Sequence, residues 1–521
     1  MQDDKVFELY KPLRNHLAKI SIGESFFVIW SYVQHLQFNN KISSEIEVIS
    51  EFINNDRIQK IRMCAEWEIE TLMREIIINS QNGIYAEKSL RKWSYFAGAI
   101  NKLKDIENDI SGIFINQNNL LVELFRIAHR QFPWQTRPNM EYLTRYYKIF
   151  SYGDLAKILE KTLGINTKKL YLAGFALTGV YLKSVAVNLP IDVQIDTINS
   201  SDIEKFISIF SSDFQSLKEK IRKESEYNDK FVYSFSSLRS TPLLRTQYHQ
   251  KNCLVCPLPT LLFWQITEGI YYKILNQING IESEQEKGRV FGEFGNALGN
   301  SFQNYAGEVI NKANQSKALT IYSEATYNVG KKMKNTVDWL IEDAQAILFV
   351  ECKTKKMMFP AKVELNDDSF IKNELSKMAD FLLQTYKSII DYKNNKYHSL
   401  NYRADKKIFP IILTMEQWYL FGDRFLNELD KILREKFLAM SMDEKIIDEH
   451  PYSICSMDEF EELMQIINKI GIIKFMENKF NGEKKLWAYK PFMISDFKQE
   501  YAETKSLFPD VYKEIYPNDT V

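Results

Sequence analysis

Cysteine is scarce in this chain, and its distribution argues against a disulfide framework. The 521 residues include five cysteines, an odd number that is scattered over the whole length. Proteins stabilised by disulfides carry even, closely spaced sets of cysteines and fold in oxidising compartments. We therefore expect free thiols and a reducing, cytoplasmic environment.

The sequence also has few residues at the spacing of a zinc site. Cys253 and Cys256 form a Cys-x-x-Cys pair, and His249 precedes that pair by four residues. A second pair does not follow, whereas a structural zinc ion takes four ligands. Buried thiols ahead of Pro257 are the favoured interpretation of this pair, and a zinc site with three protein ligands is the alternative.

Long apolar runs, an excess of one charge and a phosphate-binding loop are absent as well. Uncharged runs such as residues 252–267 are shorter than the about 20 apolar residues that span a bilayer. The start of the sequence is polar and acidic, so we expect no secretory signal and no membrane association. Lysine and arginine total 67 against 68 aspartate and glutamate residues, so any nucleic-acid surface must be local. Without a G-x-x-x-x-G-K-[ST] motif, translocation of DNA would need another subunit.

One segment carries charged residues in a pattern with chemical meaning. Asp338 precedes an apolar run that ends in Glu351-Cys352-Lys353. Side chains alternate along a strand, so Glu351 and Lys353 share one face while Cys352 points to the other. A turn at residues 342–345 would return the chain and place Asp338 beside Glu351. Because adjacent carboxylates repel each other unless a cation lies between them, and Mg²⁺ prefers such oxygens, the pattern predicts a Mg²⁺ or Mn²⁺ site next to a lysine.

This segment resembles the PD-(D/E)xK nuclease superfamily, whose members have the restriction-endonuclease-like fold. The resemblance implies that Asp338, Glu351 and the backbone carbonyl of Cys352 hold the metal ion. It also implies that Lys353 orients or deprotonates the attacking water. Phosphodiester hydrolysis would follow, because a metal ion activates water and a lysine offsets charge in the transition state. Val337 stands where the family pattern has proline.

The elements predicted around the segment follow the αβββαβ order of that fold. Helical periodicity marks residues 291–310 and 370–392. Strands are predicted at residues 318–325, 336–341, 347–350 and 409–414. The predicted fold class is therefore α+β or α/β, with a mixed sheet in the C-terminal half. The resemblance covers about residues 285–470.

Three polar residues on the predicted helices are candidates for a supporting role near the metal. Family members often carry a glutamate on the first helix, and Gln303 occupies that position here. Glu308 lies about 140° further round the helix. It is a second candidate, with a solvated helix-end carboxylate as the alternative. Gln384 on the second helix is a candidate polar contact, with an ordinary surface amide as the alternative.

Two basic stretches are candidates for contact with nucleic acid. The lysines near the charged segment are Lys331, Lys332, Lys334, Lys355 and Lys356. Lysines pair with phosphates, so we predict that these five side chains contact the substrate. Residues 126–148 combine five basic residues with aromatic side chains, a combination that can stack bases. Because aromatic side chains are mostly buried, a helical core is the favoured interpretation of that stretch.

Three regions are predicted along the chain. Residues 1–150 form a helical domain, and residues 151–248 are mainly helical with a short strand at 189–198. A linker is expected at residues 236–245. Residues 249–521 form the nuclease-like domain with a C-terminal helical extension. Continuous helices are also predicted at residues 58–79, 201–224, 261–278 and 421–442.

These observations predict a Mg²⁺-dependent nuclease that acts on DNA, and family analogy suggests a bacterial restriction or anti-phage role. The N-terminal helical region would select substrate or contact a partner protein or effector. One alternative is a degenerate nuclease fold that binds nucleic acid or a partner without cutting, which Gln303 in place of glutamate favours. Another is an exposed ion pair of Glu351 and Lys353 with no catalytic role.

Overall fold

The protein is described by a computed structural model, which covers residues 2–81, 87–191, 197–248, 250–397, 400–420 and 422–515. It is an α+β protein whose chain divides into two compact units. The first unit comprises residues 1–291 and 510–521, and the second comprises residues 292–509. Residues 249–291, which the sequence pattern grouped with the nuclease-like region, therefore lie in the first unit.

The first unit is mainly helical. Its first fifteen helices are α1 (Gln2–Leu17), α2 (Ile22–Phe38), α3 (Ser50–Asn54), α4 (Arg57–Met63), α5 (Glu66–Asn79), α6 (Trp93–Phe114), α7 (Leu120–Gln135), α8 (Met140–Phe150), α9 (Gly153–Leu163), α10 (Thr167–Tyr181), α11 (Ser200–Phe210), α12 (Phe214–Glu224), α13 (Ser237–Ser240), α14 (Pro259–Gln265) and α15 (Gly269–Asn279). A small sheet consists of β1 (Ala186–Asn188), β2 (Ser211–Asp213), β3 (Leu243–Tyr248) and β4 (Lys251–Val255). The strand order in that sheet is β1-β4-β3-β2.

Several predicted elements of the first unit are interrupted or displaced. Strand β2 separates α11 from α12, because the Asp213 side chain accepts hydrogen bonds from backbone N–H groups of the next turn and starts a new helix. The predicted helices at 58–79 and 261–278 are each two helices, and the predicted linker at 236–245 contains α13 and the start of β3. Strand β1 ends at Asn188, before the strand predicted at 189–198, and the described residues 189–191 do not form a strand. Residues 192–196 of that prediction, and His249, lie outside the described residues.

Two interpretations of the first unit are confirmed. Cys253 and Cys256 are buried, and all five cysteines of the chain carry free thiols. Within residues 126–148, the aromatic rings of Trp134 and Tyr146 are fully buried. Three of the five basic residues of that stretch are buried beside them: Arg126, Arg130 and Arg145. This stretch is therefore helical core and not a basic surface.

The second unit combines helices with a five-stranded sheet. Its helices are α16 (Glu284–Ala313, which contains the division between the units), α17 (Phe359–Val363), α18 (Ser369–Lys393), α19 (Asp423–Ala439), α20 (Lys445–Glu449), α21 (Met457–Ile470), α22 (Ile472–Lys479), α23 (Tyr489–Asp496) and α24 (Lys498–Ala502). A 3-10 helix spans Gly482–Leu486, and α25 (Val511–Ile515) belongs to the first unit. The strands of the second unit are β5 (Thr320–Ser323), β6 (Thr326–Val329), β7 (Lys332–Asn335), β8 (Trp339–Glu342), β9 (Ala346–Lys353), β10 (Lys407–Thr414) and β11 (Ser453–Ser456).

The sheet of the second unit is mixed, with the strand order β11-β10-β9-β8-β5. Strands β5, β8 and β9 pair in antiparallel fashion, whereas β9, β10 and β11 pair in parallel. Strand β9 lies in the middle and contacts both α18 and α22. Its residues from Ala346 to Val350 are fully buried, as expected for an apolar run covered on both faces. From α16 to β10 the sheet elements follow the predicted order.

One element between β5 and β8 was not predicted. Strands β6 and β7 form a separate two-stranded hairpin that interrupts the run between the two sheet strands. All four residues of β7 are exposed. Strand β7 therefore lacks the alternation of apolar and polar residues by which a half-buried strand is identified in a sequence. The predicted strand at 336–341 accordingly begins later, at Trp339.

Helix α16 packs closely against β8 through Gly307 and Trp339. A Cβ atom at position 307 would lie 2.2 Å from the Trp339 indole, which is far inside van der Waals contact. The indole Nε1 also donates a hydrogen bond of 3.0 Å to the backbone carbonyl of Gln303. Because Trp339 follows Asp338 directly, this contact fixes the helix relative to the end of the strand.

We expect Gly307→Ala to destabilise the second unit by about 1–3 kcal/mol, because the added methyl group forces the indole out of its position. Gly299→Ala on the same helix is the matched control, since a Cβ there meets open space. Alanine favours a helix over glycine by about 1 kcal/mol, so the control should be as stable as the wild type or more so. Chemical denaturation of both variants measures the difference, and equal stabilities would contradict the close contact.

Candidate active site

The β8–β9 hairpin brings Asp338 and Glu351 together. Trp339 pairs with Val350, so Asp338 lies opposite Glu351 one position further along the two strands. The backbone N–H of Cys352 donates a hydrogen bond of 2.6 Å to Asp338 Oδ2. The two carboxylates that the sequence pattern singled out are therefore neighbours at one end of the hairpin.

Lys353 reaches both a carboxylate of the hairpin and helix α18. Its Nζ donates a hydrogen bond of 2.6 Å to Glu351 Oε1 and one of 3.3 Å to Gln384 Oε1. The same ammonium lies 5.0 Å from the centre of the Phe381 ring. Gln384, one of the predicted supporting residues, thus contacts the lysine. The side chains of Glu351 and Lys353 are 6% and 19% exposed, so this ion pair is mostly buried, in contrast to the exposed pair of the non-catalytic alternative.

Burial and mutual repulsion make the two carboxylates hard to ionise. Burial, and secondly the charge of Glu351, raise the pKa of Asp338 to about 7, although the Cys352 N–H and the Lys353 ammonium act in the opposite direction. Burial also raises the pKa of Glu351, and the Lys353 ammonium partly offsets that effect. At neutral pH the pair therefore retains a proton in part, which a cation would displace.

Glu324 is a third carboxylate near the pair, and the sequence analysis missed it. It follows β5, whose last residue Ser323 pairs with Trp339, and its N–H donates a hydrogen bond of 2.9 Å to the Asp338 carbonyl. Its charge raises the pKa of both Asp338 and Glu351. The antiparallel pairing of the strands predicted at 318–325 and 336–341 was the signal that could have identified it.

The Glu324 carboxylate is held by two side-chain amides. Gln303 Nε2 donates a hydrogen bond of 3.2 Å to Glu324 Oε2, and Asn335 Nδ2 donates one of 2.6 Å to Glu324 Oε1. Gln303, a predicted supporting residue, therefore binds the carboxylate that directly follows β5. The other candidate on this helix, Glu308, accepts a hydrogen bond of 3.0 Å from Asn304 one turn earlier.

The lysines predicted to bind nucleic acid divide into two groups. Lys356 is buried and forms an ion pair with Glu416, so the prediction that it contacts a phosphate is corrected. Lys355 is partly exposed, and its ammonium lies 3.1 Å from the buried carboxylate of Glu374, so its charge is paired within the protein. These two ammonium groups are paired with a partly exposed acid, Glu416, and a buried one, Glu374, which lie far from them in the sequence.

The other three lysines lie on the β6–β7 hairpin. Lys331 and Lys332 are exposed at its turn, and the Lys334 ammonium forms an ion pair of 2.6 Å with Asp391 on α18. This hairpin is therefore the remaining candidate for a local basic surface among the predicted lysines.

Similarity to known proteins does not indicate the role of these residues. In the part of the chain that the structure describes, no three histidine, cysteine, aspartate or glutamate side chains are grouped so that they could hold a metal ion. None of the described helices is long and apolar enough to cross a bilayer. Comparison of the chain with protein-family models, with curated proteins and with solved structures found no match.

Proposed function

We propose that the second unit is a Mg²⁺- or Mn²⁺-dependent nuclease of the PD-(D/E)xK type that hydrolyses phosphodiester bonds of DNA. The observation that supports this proposal is the meeting of Asp338, Glu351 and Lys353 at one end of a buried hairpin. The order of helices and strands from α16 to β10 is compatible with a restriction-endonuclease-like fold. A cytoplasmic restriction or anti-phage role, with the first unit engaging a partner protein or effector, is part of the proposal by analogy.

The residues present fit a Mg²⁺ ion with few protein ligands. Two adjacent carboxylates with raised pKa values form a site that is costly to ionise without a cation. Asp338, Glu351 and the backbone carbonyl of Cys352 would supply the oxygen ligands. Mg²⁺ commonly binds one or two carboxylates and keeps several waters, so two protein carboxylates are enough. When bound, the ion would polarise a phosphoryl oxygen and lower the pKa of water.

Lys353 would assist the hydrolysis beside the metal ion. Its ammonium is held between Glu351 and Gln384, at 2.6 and 3.3 Å, which fixes its position next to the carboxylates. From there it can orient the attacking water and offset the negative charge that develops on the phosphoryl group. Because Lys353 is only partly exposed, its charge acts in a poorly hydrated environment, where such an interaction is stronger than in water.

A scaffold that binds nucleic acid or a partner without cutting is the second candidate function. It is favoured by Gln303, which stands where the family has a glutamate, and by the finding that the described residues hold no group of three His, Cys, Asp or Glu side chains arranged for a metal ion. Glu324 weakens this alternative, because its backbone is bonded to that of Asp338 and its charge raises the pKa of both Asp338 and Glu351.

The test is cleavage of supercoiled plasmid by the full chain in Mg²⁺, Mn²⁺ and EDTA, together with calorimetric titration of Mn²⁺. Nicking that requires Mg²⁺ or Mn²⁺, with one bound Mn²⁺ per chain, would support the nuclease. Binding of Mn²⁺ without cleavage would indicate a nuclease that needs an activating partner. DNA binding with neither Mn²⁺ binding nor cleavage would favour the scaffold.

Metal binding is expected to release protons and to strengthen as the pH rises from 6 to 8. The Asp338 pKa of about 7 means that a proton must leave before the carboxylate can bind a cation. Affinity for Mn²⁺ should therefore rise by up to about tenfold per pH unit below that pKa and level off above it. Calorimetry in two buffers of different ionisation enthalpy measures the protons released, and an affinity independent of pH would contradict the shared proton.

A further inference from the structure

The β6–β7 hairpin begins and ends next to the candidate site. It occupies residues 326–335, and Glu324 and Asp338 lie on either side of it in the sequence. The Glu324 N–H and the Asp338 carbonyl are bonded at 2.9 Å, so the chain leaves the sheet and returns to it at the same point. Any molecule bound at the hairpin would therefore be close to the two carboxylates of the site.

The base of the hairpin is fixed to the rest of the second unit. Tyr327 donates a hydrogen bond of 2.8 Å to Asp391 on α18, and Lys334 from the opposite strand donates one of 2.6 Å to the same carboxylate. The Tyr327 ring also packs 4.8 Å from the ring of Tyr397. Both strands are thus attached to α18 through Asp391.

The turn of the hairpin is basic and exposed. Gly330 adopts a φ of +62°, a conformation that glycine accommodates without strain in a tight turn. Lys331 and Lys332 follow it and are exposed, and Met333 is 73% exposed. Residues 325–337 contain no acidic residue and three lysines, of which Lys334 is paired with Asp391 and Lys331 and Lys332 remain as the basic residues of the turn, in a chain whose net charge is −1. This turn is therefore a local positive charge with an uncovered apolar side chain on it.

The maximum reach of the hairpin is compatible with a groove of double-stranded DNA. Met333 lies five positions before Asp338, which at about 3.4 Å per residue is at most about 17 Å. The major groove of B-form DNA is about 12 Å wide and about 8.5 Å deep and admits a two-stranded β-ribbon. A hairpin of this reach can enter the groove while the site contacts the adjacent sugar-phosphate backbone. The major groove of A-form RNA is too narrow for such an element.

We propose that the β6–β7 hairpin enters the major groove of duplex DNA beside the bond that is cleaved. Lys331 and Lys332 pair with phosphates at the groove edges, and Met333 contacts the edges of bases. The location of the cleaved bond rests on the proposed nuclease function, but binding of duplex DNA by the hairpin is a separate property of this surface.

The test measures binding of the full chain to a 30-base-pair DNA duplex in EDTA, where no cleavage occurs. The double variant Lys331→Ser/Lys332→Ser is expected to bind at least about tenfold more weakly at 100 mM salt. Its slope of log affinity against log salt should be shallower by about 1.8, since each phosphate contact contributes about 0.9. Lys474→Ser/Lys498→Ser is the matched control, because it removes two exposed lysines from helices α22 and α24 of the same unit.

Two further measurements examine the groove. Wild-type protein should protect guanine N7 atoms, which lie in the major groove, from methylation, and Met333→Ser should lose that protection without changing the salt slope. Duplex RNA of the same sequence should bind at least about tenfold more weakly than the DNA.

The outcomes separate this inference from the proposed function. If the hairpin variant and the control bind DNA equally, or if duplex RNA binds as tightly as DNA, the hairpin proposal is overturned even when wild-type protein cleaves DNA. If the hairpin variant loses DNA binding while no metal ion is bound by the wild type, the hairpin proposal holds and the nuclease assignment fails.

Discussion

Asp338→Asn is expected to reduce metal-dependent DNA cleavage by on the order of a thousandfold. The substitution removes the charge of one of two carboxylates that would bind the cation. The asparagine side chain retains an oxygen that can accept the 2.6 Å hydrogen bond from the Cys352 N–H, so the hairpin should keep its geometry. Plasmid nicking with Mg²⁺ and titration with Mn²⁺ measure the effect, and a variant with wild-type activity would eliminate Asp338 from the site.

The same variant should make the metal-free protein more stable at pH 8. A carboxyl group whose pKa rises from its usual value of about 4 to about 7 in the folded state stabilises the fold below pH 4. That contribution is lost as the pH rises through 7, because the folded state must then hold two charges side by side. Removing one charge should therefore increase the free energy of unfolding by about 1–3 kcal/mol at pH 8 in EDTA, with little gain at pH 4.

Glu342→Gln is the control for that stability measurement. Glu342 lies at the other end of β8, where its carboxylate accepts hydrogen bonds from Lys406 at 2.8 Å and from Tyr322 at 3.0 Å. Because this carboxylate is paired with a cation, neutralising it should destabilise the protein. An Asp338→Asn protein that is less stable than wild type at pH 8 would contradict the repulsion between Asp338 and Glu351.

Lys353→Met is expected to lower the rate of cleavage by about 10²–10³ while metal binding persists. Methionine keeps much of the length of the lysine stem and can pack on Phe381, but it cannot orient water or offset charge. Removing the ammonium also removes the group that lowers the pKa of Glu351, so Mn²⁺ binding should shift to higher pH.

Single-turnover cleavage and Mn²⁺ titration across pH 6–9 distinguish the possible roles of Lys353. Lys372→Met, at an exposed position of α18, is the matched control and should cleave DNA like the wild type. Cleavage by Lys353→Met at the wild-type rate would exclude a catalytic role. Loss of Mn²⁺ binding at every pH would indicate that the lysine only positions Glu351.

The core of the site was predictable because it depends on local rules. Alternation along one strand places Glu351 and Lys353 on the same face, and a short turn sets the register that puts Asp338 opposite Glu351. The apolar run before Glu351 required a covered strand, and β9 is the central strand of its sheet. All these relations lie within sixteen residues of sequence, from Asp338 to Lys353.

The features that were missed depend on distant parts of the chain. Lys356 is buried, and its ammonium is paired with the carboxylate of Glu416, which lies sixty residues further along the chain. No local sequence pattern reveals such a pair. The contact between Gln303 and Glu324 likewise requires α16 to pack against the start of the sheet. The hairpin was missed for the opposite reason: its second strand buries nothing, so it lacks the periodicity that marks strands packed against a core.

The backbone contact between Glu324 and Asp338 has an evolutionary consequence. A backbone hydrogen bond joins these two positions, so the thirteen residues between them form an excursion that begins and ends at one place. The pairing of β5 with β8 lies outside this excursion, so insertions, deletions or new charges within it are expected to leave that pairing in place. If the proposed function is correct, changes confined to this one loop would alter which DNA is bound and would preserve the two carboxylates.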